Sequence, residues 1–449
     1  MKKLVSLILA AMMLCAMCAA FADAPEGYPE VVEGIDFGGA TIYIYDYWSG
    51  DGARSENPTE EQAAQYAYRD WLEETYNCHI VQMQKGDWGS QVSEFTNFVS
   101  APDGSLTLWI IEPGSVATPM QQGYFAPWNN DLIDLTDEKW NAATSARMSK
   151  GDQVYGVYTG KTEPRGMLYF NKKVLQDAGI DYNDIYDMQA NGTWTWEAFE
   201  ELLQKTTYDS DNDGIYDVYG LIGSFDDFYM LAVVNNGGAM FSMVDGKLTP
   251  TMNSDVALEA LTWAKNTIAN YSAPTPDGAN WDWFKSAWKQ GYTAFYIYQG
   301  YGGFNDNSEM ADMVDPWGAV CFPLGPNGTT YKHIASDNIT VIPAVYDADT
   351  TAKLTFIYDM WTRPTPGFDD EDSWIGNKYN YTDARAVDET YAMLREAEHS
   401  EGNLCLNLGT QNNVLGQPLL WQLAGGTPAE LIEAAMPSWQ AMCDEFNGD

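Results

Sequence analysis

Histidine is scarce in this sequence. Only 3 of the 449 residues are histidine, and none of them lies in a pair spaced to bind a metal ion. The chain also lacks a Gly-x-Ser-x-Gly nucleophile motif and a glycine-rich phosphate loop. Its 64 acidic residues would supply the two carboxylates of a glycoside hydrolase, but composition alone supports that alternative. The sequence therefore gives no positive indication of catalysis.

Basic residues are also few. Lysine and arginine number 23 against 64 aspartate and glutamate, which gives a formal net charge of −41. A chain of this charge repels nucleic acids and anionic membrane surfaces, so neither is an expected partner. An anionic ligand is disfavoured for the same reason, although one local arginine can override a distant field.

Cysteine is sparse and widely spaced. Of the six cysteines, two lie in the apolar N-terminal segment, and the other four are Cys78, Cys321, Cys405 and Cys443. No two of these four form a Cys-x-x-Cys pair, so a zinc site or a thioredoxin-like motif is not indicated. An oxidising compartment permits disulfides, but four cysteines allow three pairings, and free buried thiols are an equal alternative.

Long apolar runs are confined to the N-terminus. Lys2 and Lys3 precede an apolar stretch, and Ala20-Phe21-Ala22 then offers the small residues that signal cleavage requires. We therefore predict a signal peptide at 1–22 and an exported protein, periplasmic or on the cell surface. No later run approaches the length of a membrane span.

Lipid anchoring is the less favoured alternative. Cys15 and Cys18 lie within the apolar segment, where either could suggest a lipoprotein site. Leu14 and Met17 precede them, however, whereas such sites have Gly, Ala or Ser. The segment thus fits a cleaved signal peptide better than an anchor.

Strand and helix patterns alternate along the chain. A strand is predicted at 40–45, and the capping box Thr59-Glu60-Glu61-Gln62 opens a helix. The apolar face of that helix is predicted to hold Ala64, Ala67, Trp71 and Leu72. Further strands are predicted at 78–83 and 106–111, and the alternation restarts beyond residue 154. This order is typical of mostly parallel α/β sheets, here in two successive units.

An aspartate-rich run has the spacing of a calcium loop. Counting from Asp209, carboxylates stand at positions 1, 3, 5 and 9, Gly214 stands at the sharp turn, and Ile215 offers a backbone carbonyl. The predicted Ca²⁺ ligands are Asp209, Asp211, Asp213, Ile215 and Asp217. Position 12 is Gly220 rather than a bidentate glutamate, so we expect a structural rather than a regulatory site. The alternative is an Asx-rich turn without metal.

Several short motifs, in this order, resemble those of family 1 extracellular solute-binding proteins, the group that includes maltose-binding protein. The resemblance runs from about residue 38 to about residue 445. The motifs are Gln153-Val154-Tyr155-Gly156-Val157, Tyr169-Phe170-Asn171-Lys172, Thr195-Trp196-Glu197-Ala198-Phe199, Gly291-Tyr292-Thr293-Ala294-Phe295 and Trp317-Gly318-Ala319-Val320. Where the family often has paired glycines, this chain has Ser336-Asp337-Asn338.

The resemblance implies a two-lobed α/β periplasmic-binding-protein fold of type II, each lobe a mostly parallel sheet flanked by helices and joined to the other by hinge crossings. It also implies a monomer that captures a sugar between its lobes and delivers it to the permease of an ABC transporter, without being an enzyme. We assign 23–36 to a flexible lead, 37–162 and 336–370 to the first lobe, and 163–335 and 371–449 to the second. Glycoside hydrolysis and binding of a non-sugar polar solute are the alternatives.

Candidate ligand residues follow the carboxyl ends of predicted strands, where α/β sheets bind ligands. A sugar needs aromatic rings for its C–H faces and polar side chains for its hydroxyls. The resemblance adds Glu163 and Arg165 at the first crossing and favours Tyr301 as a stacking residue. The predicted set is Trp48, Glu112, Glu163, Arg165, Phe225, Asp226, Trp283, Tyr298, Tyr301, Asp337 and Asn338. The alternatives are that Trp48 is core, that Trp283 only begins a helix, and that Glu163 and Arg165 pair with each other.

Overall fold

The fold is seen in a computed structural model that describes residues 24–303, 310–368, 383–401, 422–423 and 425–448. The predicted signal peptide and Cys405 lie outside the described residues. The strands are β1 Ala40–Asp46, β2 Cys78–Gln84, β3 Leu106–Ile111, β4 Ser149–Lys150, β5 Gln153–Val154, β6 Met167–Asn171, β7 Tyr219–Gly223, β8 Phe241–Val244, β9 Lys247–Pro250, β10 Thr293–Tyr298, β11 Trp317–Val320, β12 His333–Ile334, β13 Ile339–Val341 and β14 Ser400–Glu401.

The helices alternate with these strands. They are α1 Glu60–Tyr76, α2 Gln91–Ser100, α3 Ala117–Gln121, α4 Ala142–Arg147, α5 Lys172–Asp177, α6 Asn183–Ala190, α7 Trp196–Lys205, α8 Phe225–Asn235, α9 Asp255–Tyr271, α10 Trp283–Lys289, α11 Ala348–Trp361, α12 Ala392–Leu394 and α13 Pro428–Asn447. Within the described ranges, no helix is both long and apolar enough to cross a membrane.

The chain divides into two compact units. Of the described residues, the smaller unit contains 24–110, 125–135 and 341–368, and the larger contains 111–124, 136–303, 310–340, 383–401, 422–423 and 425–448. This division differs from the predicted one, because 111–124, 136–162 and 336–340 were assigned to the first lobe and lie in the larger unit.

The smaller unit is built on the sheet order β13-β3-β1-β2. Strand β1 runs parallel to both β2 and β3, with Ile42 opposite Ile80 and Leu106. Helix α1 begins with the predicted capping box, since Thr59 and Gln62 each accept a backbone N–H from the other. Its buried face differs from the prediction: Tyr68, Leu72 and Tyr76 are buried, whereas Ala67 is exposed.

The larger unit contains a sheet of order β11-β6-β10-β7. Strand β10 pairs parallel with β7, but β6 pairs antiparallel with both β10 and β11. The prediction of a mostly parallel sheet therefore needs correction here: β6 runs against both of its neighbours, and the sheet is mixed. Every residue of β6 and β10 is buried, and strands buried on both faces have the continuous apolar sequence that is typical of parallel sheets.

Aromatic residues fill much of the larger unit. The side chains of Trp194, Trp288, Tyr186 and Tyr296 are fully buried there. Helices α7 and α9 contribute Trp196 and Trp263, whose rings stack with centroids 4.1 Å apart. The high aromatic content of the sequence thus serves mainly to build a core, and an aromatic ring exposed to solvent is the more informative observation.

Three of the four cysteines beyond the N-terminal apolar segment lie in the described part of the chain. Cys78, Cys321 and Cys443 are each buried with a free thiol. Burial raises the pKa of the Cys78 thiol to about 12. These thiols therefore stay protonated at neutral pH and behave as small apolar core groups.

Candidate functional site

Glu112 directly follows β3 and begins a short 3₁₀ turn of the larger unit. Its carboxylate accepts the backbone N–H of Gly114 at 2.8 Å and the hydroxyl of Ser115 at 3.0 Å. The side chain is almost completely buried, and this burial raises its pKa above the ordinary value despite both hydrogen bonds. Glu112 thus serves as a cap in the structure, and the proximity of Arg147 and Arg165 favours its ionised form.

Glu163 forms an ion pair, but not with Arg165. Its carboxylate accepts Nη1 of Arg395 at 2.8 Å and the hydroxyl of Tyr391. The backbone N–H of Glu163 donates to Oδ1 of Asp337 at 3.2 Å. The alternative that Glu163 and Arg165 pair with each other is therefore wrong. Glu163 and Asp337, two predicted ligand residues, lie side by side in the larger unit.

Arg165 lies beside a group of residues at the end of β10, namely Tyr298, Gln299 and Tyr301. Its Nη1 donates to Oε1 of Gln299 at 2.6 Å, and its guanidinium carbon lies 5.4 Å from the ring centroid of Tyr301. The hydroxyls of Tyr298 and Tyr301 are hydrogen bonded at 3.1 Å. We call Arg165, Tyr298, Gln299 and Tyr301 the Arg165–Tyr301 cluster. Tyr301 is 43% exposed, so this cluster presents an aromatic ring beside charged and amide groups.

Asp226 lies in the first turn of α8, where its Oδ1 accepts the hydroxyl of Ser224 at 2.6 Å. The adjacent Asp227, which the sequence analysis missed, lies near Gln299 and Arg165, and both favour its ionised form. Burial and the charge of Asp226 raise the pKa of Asp227 well above the ordinary value of an aspartate. This second carboxyl group therefore extends the Arg165–Tyr301 cluster through Gln299. No sequence motif marks it, because its role depends on β10 lying next to α8.

Phe225 and Trp283 are partly buried and pack against the core of the larger unit. Each is the first residue of its helix, α8 and α10 respectively. Trp281, two residues earlier, is 78% exposed and lies near Lys285, whose Nζ is 5.2 Å from the ring centroid of Tyr298. Phe225 and Trp283 thus contribute to packing, while Lys285 joins Trp281 to the edge of the cluster.

Trp48 lies in the smaller unit, one turn beyond β1. It is 50% exposed, so the alternative that it belongs to the core is wrong. Asp46 organises this turn by accepting the backbone N–H of Trp48 at 3.0 Å and that of Ser49 at 2.9 Å. Gln82 donates to the second carboxylate oxygen of Asp46 at 2.8 Å. A buried carboxylate therefore fixes the backbone that carries the exposed indole.

A cavity of about 650 Å³ lies within the larger unit. Its lining includes Asp337 from the predicted set, together with Arg147, Thr162 and Arg395, which the sequence analysis missed. Asp337 is 4% exposed, and burial raises its pKa. Burial lowers the pKa of Arg147 to about 10, which still leaves it charged at neutral pH. Asn338, the neighbour of Asp337, is partly buried and immediately precedes β13.

The aspartate run forms an exposed loop of the larger unit between α7 and β7. Asp209, Asp211 and Asp217 each offer a carboxylate oxygen within 4.8 Å of the others. Asp213 is not in this group, and its Oδ1 accepts the backbone N–H of Ile215 at 2.8 Å. Asp209 accepts the N–H groups of Asn212 and Gly214, both at 2.7 Å, which draws the loop into a tight turn. Both residues have positive φ angles.

A family model for bacterial extracellular solute-binding proteins matches residues 54–354. This chain belongs to that family. Its fold is the two-lobed type II fold of periplasmic binding proteins, as the resemblance predicted. A search of curated proteins gave no significant match.

Solved structures with this fold align over most of the chain. The GacH receptor of Streptomyces glaucescens, solved without ligand and with acarbose, has a TM-score of 0.62 and 15% identity, and the alignment covers 91% of this chain and 99% of the receptor. The cyclic alpha-maltosyl-1,6-maltose binding protein of Arthrobacter globiformis has a TM-score of 0.62 and 15% identity, with coverages of 91% and 100%. UgpB of Mycobacterium tuberculosis, solved with glycerophosphocholine, has a TM-score of 0.61 and 14% identity, with coverages of 91% and 99%.

Proposed function

We propose that this protein captures a sugar or oligosaccharide outside the cytoplasm and delivers it to the membrane permease of an ABC transporter. The observation that carries this proposal is the Arg165–Tyr301 cluster. Its half-exposed tyrosine ring is suited to the C–H face of a sugar, while Arg165 and Gln299 are suited to its hydroxyls. Small-solute sites combine an apolar wall with a few well-placed polar groups in this way.

The solute class is also supported by what related folds bind. The GacH receptor binds acarbose, and the Arthrobacter protein is named for a cyclic maltosyl-maltose. UgpB instead binds glycerophosphocholine, so the fold alone does not fix the ligand. The net charge of −41 disfavours an anionic solute, whereas a sugar is neutral.

We propose further that the protein is a receptor and not a glycoside hydrolase. Such an enzyme needs one carboxyl group free to give a proton and a second free to attack or to activate water. Glu112 caps its own turn and Glu163 is bound by Arg395 and Tyr391, so both carboxylates have structural partners. Incubation with oligosaccharides should therefore give binding without turnover. Release of shorter sugars by the purified protein, but not by a Glu163→Gln variant, would contradict this assignment.

A thermal-shift screen of mono- and oligosaccharides tests the receptor function directly. A sugar present at about 100 times its dissociation constant adds about 2.7 kcal/mol to the free energy of unfolding. Calorimetry on the responding sugars then gives the affinity and the stoichiometry. If no sugar in a broad screen shifts the melting temperature, while glycerophosphocholine or another non-sugar solute does, the carbohydrate assignment is wrong.

We also propose that the aspartate loop binds Ca²⁺ as a structural ion. Three carboxylates offer oxygens within 4.8 Å of one another, and carboxylate oxygens are the ligands that Ca²⁺ prefers, which supports this proposal. Ile215 would add its backbone carbonyl and Asp213 would approach as a further ligand. The loop lies in a connection between α7 and β7, so its effect is expected on stability rather than on sugar affinity.

A further inference from the structure

The cavity of the larger unit has the size and polarity of a ligand site. Its volume of about 650 Å³ lies within the range of about 300–1,000 Å³ that is usual for small-molecule pockets. The polar side chains that line it include Asn141, Thr144, Arg147, Thr162, Asp337 and Arg395. They come from α4, from the segment before β6, from the segment before β13 and from the turn after α12. Four separate parts of the chain thus converge on one polar space.

Arg147 differs from the other side chains of this lining in having two buried N–H donors without a hydrogen-bond partner in the described part of the chain. Its Nε and Nη2 are buried and have no hydrogen-bond partner among the residues that the structure describes. No ion pair within 4.0 Å involves Arg147 in those residues either. Buried N–H groups of a charged side chain are costly to leave without an acceptor. Arg147 therefore needs acceptor atoms that the described part of the chain does not supply.

Asp337 lines the same cavity and could accept hydrogen bonds from Arg147, but the two side chains do not form an ion pair. The two side chains interact electrostatically, but Asp337 accepts the backbone N–H of Glu163 at 3.2 Å, and the nearby Thr162 hydroxyl also favours its ionised form. A guanidinium can only donate hydrogen bonds, and a carboxylate can only accept them. A hydroxyl group does both. A ligand with several hydroxyls can therefore satisfy Arg147 and Asp337 together, whereas an anion would satisfy Arg147 and be repelled by Asp337.

The charges around the cavity also balance. Three cations and three anions line it, namely Arg147, Lys161, Arg395, Glu138, Asp337 and Glu396. Lys161 and Glu396 pair with each other at 2.5 Å. A lining with no excess charge gives no net attraction for an ion, and it suits a neutral polar ligand.

We propose that this cavity binds a neutral polyhydroxylated solute, with Arg147 as hydrogen-bond donor and Asp337 as acceptor. This inference takes its ligand class from the proposed carbohydrate function. It goes beyond that function in assigning the solute to a pocket formed within the larger unit and in naming Arg147, which no sequence motif marks. The residues of the Arg165–Tyr301 cluster are not in the described lining of the cavity, so the two sites can be tested separately.

Arginine side-chain NMR tests the contact directly. The chain has seven arginines, and the Nε–H signal of Arg147 is identified by its loss in Arg147→Lys. Glucose, maltose, maltotriose and ribitol are added separately to the full mature protein, with acetate and inorganic phosphate as the anionic arm. We expect at least one polyol to shift the Arg147 signal and to slow its exchange with water, while neither anion does so. A shift by phosphate or acetate without any shift by a polyol would overturn the neutral-ligand assignment.

Affinity measurements on variants separate this inference from the receptor function. For the polyol that shifts the Arg147 signal, Arg147→Met and Asp337→Asn should each weaken binding at least tenfold at unchanged melting temperature. Arg54→Met is the control, because Arg54 lies in an exposed ion pair of the smaller unit. This variant should bind the polyol with unchanged affinity. If Tyr301→Ala loses sugar binding while Arg147→Met and Asp337→Asn retain it, the receptor function stands and the cavity site is wrong. If no polyol binds the intact protein at all, the proposed function itself fails.

Discussion

Arg395 donates Nη1 to the carboxylate of Glu163 at 2.8 Å, across 232 residues of sequence. The Arg395 side chain is 13% exposed and that of Glu163 is 32% exposed, so the pair is shielded from water on one side. Tyr391, one helical turn before Arg395, donates to the same carboxylate. Together these contacts tie the segment around α12 to the segment that leads into β6.

This pair predicts a measurable loss of stability when Arg395 is removed. Arg395→Met leaves Glu163 as a partly buried carboxylate without its cation. We expect the free energy of unfolding to fall by about 1–3 kcal/mol, less than for a fully buried pair because water reaches Glu163. Urea denaturation measures the change. The double variant Arg395→Met with Glu163→Gln should recover part of it, and equal losses in the single and double variants would contradict an energetic role for the pair.

Tyr301 is predicted to stack on the sugar. Truncating an aromatic residue at the centre of a binding site commonly costs about 2 kcal/mol or more, so Tyr301→Ala should weaken sugar binding at least tenfold in calorimetry. Tyr216→Ala is a matched control, because Tyr216 is similarly exposed, at 49% against 43%, but lies in the aspartate loop.

Trp48 is predicted to contact the sugar from the smaller unit. Trp48→Ala should reduce affinity with the fold unchanged by circular dichroism, since the indole is half exposed and fills no core. Trp88→Ala is a suitable control, as Trp88 is 57% exposed. Wild-type affinity in both Trp48→Ala and Tyr301→Ala would refute the predicted aromatic contacts.

Calcium removal tests the aspartate loop. Chelation should lower the melting temperature of the wild-type protein while leaving its sugar affinity nearly unchanged. In a variant with Asp211→Asn and Asp217→Asn, the melting temperature should no longer depend on calcium, because two of the three clustered carboxylates have lost their charge. Asp277→Asn changes an exposed acid elsewhere and should respond to chelation like the wild type. A wild-type protein that melts identically with and without calcium would identify the loop as an Asx-rich turn.

His333 predicts a loss of stability in acid. Burial lowers its pKa from 6.5 to about 4, and its Nδ1 accepts the backbone N–H of Arg165 at 3.2 Å. The unfolded chain binds a proton at this residue below about pH 6.5, but the folded chain does so only below about pH 4. Stability should therefore fall as the pH drops through that window, by on the order of 3 kcal/mol from this residue.

Urea titrations at pH 7 and pH 4.5 measure this effect. In His333→Asn the side-chain carbonyl can still accept from Arg165, but no group titrates at that position. The variant should be less sensitive to this pH change than the wild type. An equal pH dependence in both proteins would show that His333 is not the group responsible.

Local sequence patterns predicted correctly those features that depend only on residues close together in the sequence. The capping box at Thr59 and Gln62 forms as predicted, and β1, β2 and β3 lie within a residue of their predicted bounds. The mixed sheet of the larger unit was not predicted, because its strands are buried on both faces and have the continuous apolar sequence that is typical of parallel sheets.

The ion pair of Glu163 with Arg395 and the position of Arg147 in the cavity could not be predicted from the sequence, for a different reason. Glu163 was predicted from the family resemblance, but Arg395 lies in a segment that matches none of the family's motifs. Arg147 ends a six-residue helix, and its importance depends on the cavity that other segments close around it. Such residues are recognised only when the fold has brought distant parts of the chain together.

The turn that carries Trp48 is shaped by Asp46 and not by the indole. Hydrogen bonds from the backbone of residues 48 and 49 to a single buried carboxylate set its course, and Gln82 holds that carboxylate from the neighbouring strand. The side chain at position 48 can therefore be substituted while the backbone of the turn keeps its conformation. For protein engineering, position 48 therefore accepts different aromatic side chains on an unchanged backbone. Phenylalanine, tyrosine and histidine can be compared there, and differences in ligand preference among the three variants can be attributed to the ring alone.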